Sequence, residues 1–120
     1  WDWSLCRTPG ARFENLIAAN LLKYCHFIED TQGDDMRLCY LRDKSKREVD
    51  FVVIKNNQPI FAVEAKSGDR DVSKNIAYFA ARTDIPIFYQ VHGRTNDYEV
   101  DAHRARVLPA VTFASEVLRI

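Results

Sequence analysis

The sequence has no charge excess, no disulfide pattern and no long apolar run, and each absence narrows what the chain can do. Seventeen basic and seventeen acidic residues cancel. No net field therefore draws the chain to nucleic acid or a membrane, which argues against a free-standing DNA-binding module but not against an enzyme with local phosphate contacts. Cys6, Cys25 and Cys39 are odd in number, form no CxxC pair, and share no ligand spacing with His26, His92 or His103. That argues against a disulfide scaffold or zinc knuckle and for reduced, mostly structural thiols in a cytoplasmic protein. No apolar stretch approaches membrane-spanning length and no signal peptide is visible, so a membrane partner is not expected. Repeats, low-complexity segments and linkers are absent too. The chain lacks an initiator Met and opens on WDWSLCRTPG. This reads as the cut end of a longer chain, with Trp1 and Trp3 packed on a neighbour beyond it.

What is present is ordinary globular composition, 47% hydrophobic and 28% charged, over 120 residues. That is enough for one compact domain, 1–120, and too little for two. Residues 9–30 read as a long helix, with Pro9 in its first turn and Phe13, Leu16, Ile17, Ala19, Leu21, Tyr24 and Phe27–Ile28 at helical spacing. MRLCYLR (36–42) and EVDFVVIK (48–55) read as strands around a charged DKSK turn, and NNQP leads into a third strand, IFAVEAK (60–66). A break at SGD precedes a helix over 72–83, and IPIFYQV (85–91) is a nearly continuous apolar strand of the kind buried on both faces. The remainder predicts a loop, a short strand near 105–108, and a helical or irregular tail. The order α-β-β-β-α-β predicts an α/β domain with a mixed sheet flanked by helices.

The stretch REVDFVVIKNNQPIFAVEAKS (47–67) raises the functional question. Asp50 begins one apolar strand, and Glu64 and Lys66 end the next. Isolated charges are expensive to bury, so folding alone gives no reason for them. Alternation puts Glu64 and Lys66 on one face, and a tight hairpin brings Asp50 beside Glu64. Crowded carboxylates repel unless a proton or cation separates them, and Mg²⁺ favours a couple of carboxylates plus waters. Lys66 then has two uses, orienting or deprotonating a water and opposing charge on a phosphate. The plainer alternative puts these acids at strand ends in solvent, paired with Lys66 or Arg47.

Asp50, thirteen residues, then Glu64-Ala65-Lys66 resembles the D…(D/E)xK signature of the restriction-endonuclease-like PD-(D/E)xK nuclease superfamily, and the α-β-β-β-α-β order is similar to that superfamily's core. Val49 stands where the superfamily name has Pro. The blocks GARFENLIAANLL, YLRDKSKREVDFVV and FAVEAKSG resemble an uncharacterised domain found at the C-terminus of bacterial AAA-type ATPases. The likeness covers most of residues 1–92. It implies Asp50, Glu64 and the helix acid Glu14 as metal ligands and site acids, Lys66 as the catalytic lysine, and Mg²⁺ or Mn²⁺ as the cofactor. It also implies the chain's own N-terminal ATPase domain as a partner, through which alone ATP would enter.

Glu14 also has an ordinary explanation, since acids in a first helical turn oppose the macrodipole. Glu48 shares Asp50's face but lies at the strand's frayed start. RDKSKR (42–47) has the chemistry to hold a phosphate backbone, yet a solvated hairpin turn explains it as well. His26 reads as a boundary residue, His92 as a lone group after the buried strand, and His103 with Arg104 and Arg106 as a solvated basic face. Tyr78 reads as core packing, with Lys74 a turn away. Two functional classes result: a metal-dependent nuclease acting on nucleic acid, and a catalytically silent nuclease-fold module docking the ATPase domain or a partner protein.

Overall fold

The computed structural model describes residues 2–5 as backbone, and 12–66, 68 and 71–120 in full. Strand β1 (Asp2–Leu5) precedes α1 (Arg12–Gln32), and β2 (Met36–Arg42), β3 (Glu48–Lys55) and β4 (Gln58–Ala65) follow as an antiparallel meander. Helix α2 (Lys74–Ala80) crosses to β5 (Phe88–His92), which runs parallel to β4. Then come β6 (Tyr98–Val100), β7 (Ala105–Pro109), and a helical tail, α3 (Ala110–Thr112) continuing with π-helical turns over Phe113–Leu118. The sheet has seven strands in the order β1-β2-β3-β4-β5-β7-β6, with β4-β5-β7 parallel. An α/β domain with a mixed sheet between helices is therefore what the chain forms.

Local chemistry explains the boundaries. The β3–β4 hairpin turns on Asn56 and Asn57, both at positive φ (51° and 68°), the conformation that a two-residue hairpin requires and asparagine tolerates. Pro59, which has no N–H to give, lies where the β3–β4 register slips between Val53 and Ile54. Ser73 caps α2, its Oγ accepting from the Asn75 and Ile76 amides at 3.1 and 3.4 Å.

Two apolar layers sandwich the sheet. On one face α1 and the tail pack Ile17, Leu21, Ile28 and Phe113 against Phe51, Val53, Phe61 and Val63. On the other, α2 packs Ile76 and Phe79 against Val52, Ala62 and Phe88.

Several expectations need correction. Leu16 and Phe27 are 51% and 53% exposed, because the buried stripe of α1 is the narrower line Ile17, Ala18, Leu21, Cys25, Ile28. The second helix is shorter than 72–83, and the strand expected at 85–91 begins at Phe88. Strands β1 and β6 were not expected; both are short and lie at the sheet edges, where little patterning is imposed. Arg104 and Arg106 are bound into the fold, although Arg104 stays exposed as expected. Arg104 clamps the carbonyls of Ala80, Thr83 and Ile85, and Arg106 grips Asp97 through two bonds of 2.9 and 2.8 Å. Pro9, Trp1, Cys6 and the Trp3 side chain lie outside the described residues. Cys25 and Cys39 are free and buried. Among the described residues no helix is long and apolar enough to cross a membrane.

The tail is integral to the core: Phe113 is fully buried, its ring 5.3 Å from Tyr89 and 6.3 Å from Phe61. Replacing Phe113 by Ala should cost about 3–5 kcal/mol in urea unfolding, as for other buried aromatics. A loss below about 1 kcal/mol would show the tail to be dispensable.

Candidate active site

Phe51 pairs with Val63 across the β3–β4 ladder, and one further step in register sets Asp50 against Glu64. Both lie on the α2 side of the sheet, the face of Val52 and Ala62. The half-buried Asp50 carboxylate accepts the Ala65 N–H at 2.9 Å, which fixes it across the hairpin. Glu64 is only 5% exposed. The Ser73 hydroxyl donates to it, but its Oε2 has no hydrogen-bond partner among the described residues. Lys66, half-buried just past β4, is held by its backbone N–H on the Val91 carbonyl at 2.9 Å, and its charge acts on Glu64.

Glu14 approaches from the opposite layer. It stands three, four and seven residues before Ile17, Ala18 and Leu21, so it extends the buried stripe of α1 by one turn at the site end. There it is half-buried, and its charge is felt by both Asp50 and Glu64. Glu48 is exposed, yet it acts on both acids as well.

These surroundings set the ionisation. Burial pushes the Asp50 pKa up to about 7; the Ala65 amide opposes this, while Glu64, Glu14 and Glu48 add to it. Glu64 is also raised, chiefly by burial, with the Ser73 hydroxyl and Lys66 opposing and Glu48 and Glu14 adding. Asp50, Glu64, Lys66 and Glu14 are thus brought into one electrostatic neighbourhood. Among the described residues, however, no three Asp, Glu, His or Cys side chains are arranged to hold a metal ion.

Sequence reasoning missed Gln90 and Ser73. Gln90 is fully buried on β5 in register with Glu64; its Oε1 accepts the Ser73 N–H at 2.8 Å and its Nε2 donates to the Asp71 carbonyl at 3.0 Å. It thereby anchors the segment that presents Ser73 to Glu64. The available signal was a glutamine inside an otherwise apolar strand. His92 is no free ligand: its ring nitrogens meet the Asn96 carbonyl at 2.8 Å and the Arg94 N–H at 2.9 Å. His26 is exposed on α1.

The raised Asp50 pKa has a definite sign in stability. Between about pH 4 and 7 the folded chain keeps a proton that the unfolded chain has lost, so stability falls as pH rises through that window. In metal-free buffer Asp50→Asn should match wild type at pH 4 and exceed it by about 1–3 kcal/mol at pH 8, allowing for solvent screening. Urea melts at the two pH values check this, and an equal difference at both would remove Asp50 from any dry cluster.

Neither the curated proteins nor the solved structures contain a match to this chain. A protein family does match, over residues 9–113, under the description Domain of unknown function (DUF4143). The match reaches well past residue 92, where the likeness read from sequence blocks faded, in keeping with the packed tail. Families of this description are often found at the C-terminus of AAA-ATPase-like proteins. With most of its length inside that match, the chain belongs to the DUF4143 family.

Proposed function

We propose that the domain hydrolyses nucleic-acid phosphodiesters with a divalent cation, Mg²⁺ or Mn²⁺, held between Asp50 and Glu64. The observation that carries this reading is the orphaned Glu64 Oε2, nearly removed from water and set across the hairpin from a second, half-buried carboxyl, Asp50. A buried acceptor without a donor is costly, and a cation answers that cost. Mg²⁺ takes one or two carboxylates with waters, so two acids suffice, and Glu14 adds negative field from outside. The succession α1-β2-β3-β4-α2-β5, with acids opening β3 and closing β4, supports a restriction-endonuclease-like core.

A bound cation would supply Lewis-acid polarisation of the phosphoryl oxygens and a more acidic water. The chain supplies the rest. The Ala65 amide and the Ser73 hydroxyl fix the two carboxylates, and Gln90 fixes Ser73. Lys66 orients the attacking water and opposes the charge that gathers on the phosphoryl oxygens. Water's oxygen joins phosphorus and releases a proton to solvent, the bond to the leaving sugar oxygen breaks, and that oxygen takes a proton from solvent. Any role for ATP belongs to an ATPase domain elsewhere in a longer chain.

The absence of a three-ligand cage among the described residues favours a second reading. In it the domain is a silent nuclease-fold module that docks the ATPase domain or a partner protein.

One experiment separates the two. Wild type should cleave DNA or RNA with Mg²⁺ or Mn²⁺ at low salt, and Lys66→Ala should lose about 10²-fold or more while melting within about 2 °C of wild type. Calorimetric Mn²⁺ affinity should rise with pH up to about 7, as the ion displaces the Asp50 proton. No Lys66-dependent cleavage with any substrate and metal would leave the silent module standing.

A further inference from the structure

Charge on this molecule sums to zero but is unevenly spread between the two ends of β3. At the end where β3 begins, the end of β2, the β2–β3 turn, and α2 with the turn after it present Arg42, Lys44, Lys46, Arg47, Lys74 and Arg82, all exposed, against the acids Asp43 and Glu48. At the end where β3 stops lie Glu29, Asp30, Asp34 and Asp35; the nearby Lys55 and Arg37 are tied to Asp34 and Asp35 at 3.3 and 3.6 Å. The basic end is the site end. Arg47 directly precedes β3, and Asn75 of α2 donates to the Glu48 carbonyl at 3.0 Å, two residues from Asp50.

Two of the basic groups, Arg47 and Arg82, are held in place. Asp43 Oδ1 accepts the Ser45 and Arg47 amides at 3.0 and 2.9 Å, and its Oδ2 takes the Arg47 guanidinium at 2.9 Å. The Tyr78 hydroxyl donates to Asp43, and its ring carries the guanidinium carbons of Arg47 and Arg82 at 4.2 and 3.8 Å from its centroid. Lys46 sits at φ 64°, where glycine is the relaxed residue; what lysine adds there is charge.

We infer that this basic ridge binds the phosphate backbone of nucleic acid, without reading base sequence, and leads it to the Asp50–Glu64 pair. Tyr78 already carries guanidiniums on its ring, so it serves to preorganise cations rather than to stack bases. Ordered guanidiniums and flexible lysines suit phosphate contacts, which position a duplex or strand but carry no sequence information. The identity of the polyanion rests on the phosphodiesterase reading.

The test is fluorescence anisotropy of the intact chain in EDTA, with two unrelated labelled 20-mer duplexes and a single strand, at several salt concentrations. The duplexes should bind alike. Lys44→Ala/Lys46→Ala should weaken binding at least about tenfold at low salt and lower the salt slope by about 2. Lys46→Gly should melt higher yet bind more weakly, which separates charge from folding. Arg37→Ala/Lys55→Ala, the same charge change at the far end, should bind as wild type. Unchanged affinity in the Lys44/Lys46 variant, a strong preference for one duplex, or equal binding of anionic phospholipid vesicles would each overturn the inference. Binding without cleavage would retire the nuclease reading and keep the ridge; cleavage insensitive to Lys44 and Lys46 would do the reverse.

Discussion

A carboxylate leaves water at high cost, and Glu64 has left it almost entirely while one of its oxygens finds no donor among the described residues. Much of the surrounding architecture answers to that one group. The β3–β4 register decides that Asp50 lies opposite it, and the parallel β4–β5 pairing decides that Gln90 lies on its other side. Gln90 in turn fastens the segment from which Ser73 reaches Glu64. A core assembled for stability alone would have placed apolar side chains at positions 64 and 90, as it does at 62, 63, 88 and 91.

Net charge was a poor guide to surface chemistry. A sum of zero removes the long-range field, but at physiological ionic strength exposed charges act mainly within about 8 Å. What a phosphate meets is therefore the local arrangement, and here the exposed bases outnumber the exposed acids at the end where β3 begins. The ordering of Arg47 and Arg82 around Tyr78 also lowers the entropy lost when they engage a ligand.

Much of this was readable from the residues. β2 appears with the boundaries that its alternation implies and β3 with those of its β-branched run, and the period-two placement of Glu64 and Lys66 with the short Asn56–Asn57 turn is enough to juxtapose the acids. Glu14 was legible in a stronger form than the dipole argument, since it lies in line with Ile17, Ala18 and Leu21. Other features depend on partners distant in sequence. Gln90 carries no local mark that it will face Ser73, and nothing near Arg104 in the sequence marks it as the donor to three carbonyls of α2 and the α2–β5 connection. Leu16 misled because apolar spacing on a helix does not say how wide a stripe the sheet will cover.

Ser73 occupies two hydrogen-bond chains at once. Its hydroxyl hydrogen goes to Glu64 while its oxygen receives the first free amides of α2. A hydroxyl that donates to a charged carboxylate becomes a better acceptor, so the first turn of α2 tightens when Glu64 is ionised and loosens when it is neutral. Corrected for intrinsic chemistry, the deuterium uptake of Asn75 and Ile76 is then a clock for the charge on Glu64, kept by a helix that contributes no acid of its own to the cluster.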